Sequence, residues 1–287
     1  MAILESIAFG LVAMFCWGIS DFLGAVGSKK IGVFKTLFWG VTGGLLLLLL
    51  ASFRQGSFPI PDFSSFLLIL IFGLLEMVGI FLYYKAFSVN KASIAAAVSA
   101  IYPIITVFIG ILIFAESISF IQGVSIGLMI LGVILTSLNL KKLSFKSAAK
   151  IEKGLGFALF AALIFGILFA LFDILVNKFG AFFATLYVQA AAVFFLVLYL
   201  TTKRENIAVK NKSEIYIFSA IGLFNTVAFV AVAKGFEIGL VSIVTPVSSL
   251  YPAVIIILSW LFLKERLASN QIIGIIGILI GLFLLAS

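Results

Sequence analysis

Apolar residues run along this chain in long blocks, and the polar residues collect in short gaps between them. Blocks long enough to cross about 30 Å of hydrocarbon, at a helical rise of about 1.5 Å per residue, fall at 4–27, 34–53, 66–87, 92–114, 119–139, 155–177, 181–201, 215–236, 239–262 and 270–286. They are too long for barrel strands, and lipid offers no water to unpaired backbone groups, so the pattern predicts an all-α chain of ten transmembrane helices. Only 140–154 and 202–214 read as polar loops, while 54–62 carries Gly56, Pro59 and Pro61 as turn residues.

The pattern occurs twice. Lys85 to Glu116 lies on Lys234 to Glu265 at one offset of 149 without a gap, and Lys85, Phe87, Ser93, Ile94, Val98, Ser99, Tyr102, Pro103 and Glu116 each meet their own kind. The match runs on through Gln122/Gln271, Ile126/Ile275, Gly132/Gly281 and Leu135/Leu284, and reaches back to Gly18/Gly166, Lys30/Lys178, Gly32/Gly180 and Thr36/Thr185. The chain therefore divides into a first five-helix repeat (1–139), a basic linker (140–154) and a second repeat (155–287). Five is odd, so the second copy enters the membrane the other way up, a plan that secondary transporters use with the solute near the midplane between copies.

Composition agrees with a bilayer as solvent. With 64% hydrophobic and 10% charged residues and a mean hydropathy of +1.33, no soluble core of this size could hide the apolar surface. The first block starts almost at Met1 and meets no basic residue before Lys29, so it reads as a retained span rather than a cleaved signal. There is no His and a single Cys, Cys16, which removes His-based metal sites, Cys-rich metal sites and an internal disulfide; no metal, cofactor or catalytic constellation is expected.

Of the Lys and Arg residues, 16 fall in the connections after helices one, three, five, seven and nine, against three (Arg54, Lys178 and Lys234) on the other side. The positive-inside rule makes the first set cytoplasmic and puts both termini outside a cell membrane. The net charge of +8 then reflects this bias and attraction to anionic lipid, with no nucleic-acid partner implied.

The ten-span layout, Trp17-Gly18 in helix one, Tyr-Pro at 102–103 and 251–252, and Glu116 and Glu265 beyond them together resemble the drug/metabolite transporter superfamily in its EamA-type branch. The resemblance implies a secondary carrier of a small organic solute, often an exporter. It implies a central cavity walled by helices one to four and six to nine, with five and ten peripheral. Relatives of this kind are often drawn with cytoplasmic termini, whereas the charge count argues the reverse.

Ionised side chains inside hydrocarbon cost about 2.5–3.5 kcal/mol each on insertion scales, so those that persist there are functional candidates. Glu76 at the centre of helix three has Asn225, at the centre of helix eight, as its repeat mate. The pair is read as a midplane site in which Glu76 binds a cationic part of the solute or exchanges a proton, and Asn225 adds hydrogen bonds; the competing reading is a helix-to-helix bond that only holds the bundle. Asp21 either lines the cytoplasmic side of the cavity or pairs near the interface with Lys85 or Lys29. Trp17, one helical turn away, and Trp39, Tyr83, Tyr102, Gln189 and Tyr251 complete the expected binding set, with Tyr83 and Tyr84 also readable as belt aromatics.

Pro103 and Pro252 each remove a mid-helix hydrogen bond and predict a symmetric pair of hinges, with Pro246 unmatched and helix nine the more irregular. Lys85 and Lys234 read as helix-end cations or as gate contacts, Lys234 facing Glu237 or the solute. Glu116 and Glu265 read as fixing the turns into helices five and ten, and Gly123-x-x-x-Gly127 and Gly277-x-x-x-Gly281 as faces for packing or dimer contact. The expectation is a monomeric or homodimeric carrier, possible proton coupling included; the alternative is a non-transporting membrane sensor or accessory subunit.

Overall fold

In the computed structural model the described residues are 2–54, 58–89, 92–137, 148–263 and 268–286. They form eleven helices: α1 (Ala2–Lys30), α2 (Val33–Ser52), α3 (Phe63–Val89), α4 (Ala92–Ser99), α5 (Pro103–Ile113), α6 (Phe120–Ser137), α7 (Ala148–Lys203), α8 (Lys212–Ile238), α9 (Val241–Ser248), α10 (Tyr251–Leu263) and α11 (Ser269–Ala286). Seven stretches are long and apolar enough to cross a membrane, one of them 50 residues long within α7.

That long helix is not straight. Gly180 leaves helical geometry at φ 76 and ψ 160, a left-handed backbone that glycine adopts without the penalty a Cβ brings. The chain folds back there: Gly79 of α3 approaches Phe165 while Gly73, less than two turns away on the same helix, approaches Ala191. A straight helix would separate Phe165 and Ala191 by about 39 Å at 1.5 Å per residue. α7 is thus two limbs, 148–179 and 181–203, which meet the expected boundary between the sixth and seventh spans.

Helices four and nine are each interrupted at mid-length. α4 ends at Ser99 and α5 opens on Pro103, where its missing N–H costs nothing; α9 ends at Ser248 and α10 opens on Tyr251-Pro252. The prolines therefore start new helices after a break rather than kink continuous ones. Pro246 lies inside α9 without ending it, and the break after α9 is no longer than the one after α4, so helix nine is not the more irregular.

Contacts between the copies are exchanged reciprocally. A Cβ on Gly18 would meet Val254 and the Tyr251 carbonyl, and one on Gly166 would meet Ile105 and the Tyr102 carbonyl; each second residue is the repeat mate of the first. The same holds where Gly132 abuts Ile278 and Gly281 abuts Met129, the seam that packs α6 on α11. Gly277 and Gly281 lie in this seam, as the second Gly-x-x-x-Gly spacing suggested, whereas Gly123 and Gly127 of the first face open space. Reciprocal pairing is what a twofold relation produces.

Candidate functional site

Where the copies meet, a partly open cavity of about 50 Å³ is lined by Trp17, Asp21, Glu76, Ile80, Tyr83, Tyr102, Phe165, Phe169, Asn225, Phe229 and Tyr251. Ten of these eleven form repeat-mate pairs at the 148–149 offset: Trp17 with Phe165, Asp21 with Phe169, Glu76 with Asn225, Ile80 with Phe229, and Tyr102 with Tyr251. Tyr83 alone lacks a mate in the lining. The cavity therefore sits on the relation that exchanges the two copies, and both of its acids come from the first copy, their mates being Phe169 and Asn225.

α3 carries Glu76, 3% exposed, and its Oε2 meets no protein partner. A carboxylate buried in this way costs several kcal/mol unless a proton, a cation or donors satisfy it. Asn225 on α8 accepts a hydrogen bond through Oδ1 from Trp17 Nε1 at 3.2 Å, which ties α1 to α8 beside the acid. Asp21, also buried, accepts from the Tyr83 hydroxyl at 3.0 Å. Asp21 thus lies in the cavity wall with the Tyr83 hydroxyl as its hydrogen-bond donor. Tyr83 and Tyr84 are buried and do not form an interfacial belt.

The two helix breaks supply the cavity's tyrosines. Tyr102, just before α5, reaches across the copies to Ser248 Oγ at 3.1 Å and the Thr245 carbonyl at 3.5 Å. Tyr251 at the start of α10 donates to the Ala96 carbonyl at 3.4 Å, and Ala96 is the repeat mate of Thr245. Ser248 also donates to the Thr245 carbonyl at 3.0 Å, while Ser99 reaches the Ala158 carbonyl on α7 at 3.4 Å.

Two expected wall residues lie elsewhere. Trp39 spends its ring N–H on the Ile207 carbonyl at 2.7 Å, beyond the end of α7. Gln189 is buried beside Thr226 where α2, α7 and α8 close on Gly44, and neither of its polar side-chain atoms meets a protein partner. α2 and the second limb of α7 are thus absent from the lining, because glycine contacts at Gly40, Gly44 and Gly222 close them together with α8. Four lining residues escaped notice as isolated positions: Ile80, Phe165, Phe169 and Phe229. Applying the offset to the candidate list would have found two of them, Phe165 from Trp17 and Phe169 from Asp21, whereas Ile80 and Phe229 are mates of each other and carried no polar signal.

Lys85 and Lys234 do not line the cavity, and both lie short of their helix ends at Val89 and Ile238. Lys234 pairs with Glu237 at 2.5 Å, and Glu237 also accepts from the Ala181 N–H, which joins the end of α8 to the fold-back of α7. Nearby Lys178 pairs with Asp62 at 2.5 Å; Lys178 and Ser64 hold the Asp62 carboxyl well below its ordinary range. Glu116 does not merely fix its own turn. Its carboxylate accepts from Val241 N at 2.9 Å and Ser242 N at 3.0 Å, capping α9 of the other copy. Glu265 lies outside the described residues. At the opposite, lysine-rich end Lys35 pairs with Glu214 at 2.6 Å beside a polar hollow that also holds Lys30 and Lys210. Among the described residues no group of His, Cys, Asp and Glu could hold a metal.

The sequence profile of the EamA-like transporter family matches residues 4–138 and again 152–287. An uncharacterised protein of Methanocaldococcus jannaschii is 29% identical over 134 residues, which are 47% of this chain and 97% of that protein, so the relative is about one copy long. A crystal structure of another protein superposes with a TM-score of 0.82 over 98% of each chain at 16% identity, a likeness that speaks for the fold alone.

Proposed function

The chain belongs to the EamA-like transporter family, and from that premise we propose that it is a secondary carrier that exports a small organic solute by alternating access, with Glu76 exchanging a proton against the cargo. Counting the two limbs of α7 as two crossings, and α4 with α5 and α9 with α10 as one each, gives ten crossings in two inverted copies, 1–139 and 155–287. The basic connections, including the linker 140–154, lie in the cytoplasm and both termini outside the cell membrane. The observation that carries the reading is the cavity lined by repeat mates from both copies, with an unpartnered carboxylate oxygen in its wall.

Alternating access needs ties that can form at one end while breaking at the other. Both ends of this bundle carry ties that cross between the copies: Asp62 with Lys178 and Glu116 with α9 at one end, Lys35 with Glu214 at the other. The paired helix breaks beside Tyr102 and Tyr251 supply the pivots. A screen for solutes that raise the melting temperature of the purified protein, followed by flux into proteoliposomes with and without a pH gradient, tests the proposal. Glu76→Gln is expected to abolish the response to the gradient, and Asn225→Ala to weaken solute binding. Flux that survives intact in both variants would remove the site from the mechanism.

A further inference from the structure

The chemistry of the cavity wall selects a charge type for the cargo, an inference that rests on the carrier reading above. The aromatic donors are used up. The ring N–H of Trp17 goes to Asn225, and the hydroxyls of Tyr83, Tyr102 and Tyr251 are engaged by Asp21, by Ser248 with the Thr245 carbonyl, and by the Ala96 carbonyl. Acceptors remain, above all Glu76 Oε2. Two carboxylates face the space and no Lys or Arg is among its lining residues.

The rest of the wall is aromatic, and its rings touch in one continuous array. Phe169 lies 5.4 Å from Trp17, 5.3 Å from Tyr102 and 5.5 Å from Phe229 between ring centroids. Through Phe165 the array reaches Tyr83 and then Tyr251, at steps of 6.3, 6.1 and 6.3 Å. Ring faces carry the negative part of the quadrupole and attract a desolvated cation. An anion entering the same space would meet two carboxyl groups and a largely aromatic wall, with the Asn225 amide as the lining side-chain donor left to receive it.

We infer that the cavity binds a monovalent organic ammonium with an apolar or aromatic body, its charge between Asp21 and Glu76 and its body against the ring array. The ammonium satisfies the orphaned oxygen of Glu76, and the aromatic wall replaces its hydration shell.

The test uses the full chain purified in detergent and three probes of matched shape: 2-phenylethylammonium, 2-phenylethanol and 3-phenylpropanoate. Binding is read from the melting temperature and from tryptophan emission, with Trp17→Phe as the control that locates the signal. The cation is expected to bind saturably and at least about tenfold more tightly than the alcohol or the carboxylate, a ratio equivalent to about 1.4 kcal/mol. Glu76→Gln and Asp21→Asn are each expected to weaken it by a similar factor. Equal or tighter binding of the neutral or anionic probe, absence of saturable binding by the cation, or full affinity in both variants overturns the inference; the probe comparison needs no variant to fold. The two readings fail separately. Ammonium that binds but never crosses a vesicle sinks the carrier and leaves the cation site standing, whereas Glu76-dependent flux of an acidic or neutral solute sinks the cation site and leaves the carrier.

Discussion

At the scale of single residues, depth and face carry different information. Depth was legible: Glu76 and Asn225 are mid-helix, mutually related and in one cavity. Face was not, because a helix bathed in lipid is apolar all round and offers no polar stripe to orient it. That is why Trp39 and Gln189 looked like wall residues and yet sit behind the wall. The glycines that pack them there are testable. A Cβ on Gly44 would lie 2.3 Å from Thr226 Oγ1 and 3.1 Å from the Gly222 carbonyl, so Gly44→Ala is expected to cost about 1–3 kcal/mol and to lower the melting temperature in detergent. Gly127, with nothing within 4 Å, is expected to tolerate the same change or gain slightly from helix propensity. Asp62 tests charge at the bundle end. Its folded carboxyl is held low by Lys178 and Ser64, so the stability it contributes is present above the unfolded value of about 3.9 and is lost as pH falls toward the folded one. The difference in melting temperature between the protein and its Asp62→Asn variant should therefore be small, because the pair is half exposed, and should shrink below about pH 4. A difference that widens on acidification contradicts this assignment.

At the scale of elements, proline and glycine punctuation was readable and its consequences only partly so. Tyr-Pro at both repeats marked the breaks beside Tyr102 and Tyr251, and the gap between the apolar blocks 155–177 and 181–201 marked the fold-back of α7 at Gly180. What the sequence could not display was partnership across the copies, since the turn after α5 and the start of α9 are separated by about 125 residues. Glu116 looked like the anchor of its own turn and caps α9 instead. Replacing it by Gln removes charge from that helix start, where a carboxylate is worth about 0.3–1 kcal/mol or more when partly buried. The expected outcome is a bundle that opens more readily at this end. In a Cys16→Ser background, a cysteine placed at Ser242 should react faster with an impermeant thiol reagent when Glu116→Gln is present. An unchanged rate would mean that the cap is not part of any opening.

At the scale of the whole molecule, duplication was the most legible feature, because gapless identity over an offset of 149 needs no knowledge of faces or contacts. Its consequence is a cavity on the exchange relation, and its exception is charge: evolution of the two copies left acids on one side of each pair and Phe169 and Asn225 on the other. The proposed orientation of the whole rests on the count of 16 basic residues against three. A cysteine added at either terminus of a Cys16→Ser background is expected to be labelled from outside intact cells, and labelling only after permeabilisation would reverse the assignment.

The most direct measurement is a structure of the protein with a transported solute bound. Solute density is expected inside the ring array, with a polar atom of the solute within about 3.2 Å of Glu76 and contacts drawn from both copies. Solute seated elsewhere, such as the hollow beside Lys30, Lys35 and Lys210, with the space between Glu76 and Asn225 filled by side chains, would contradict it.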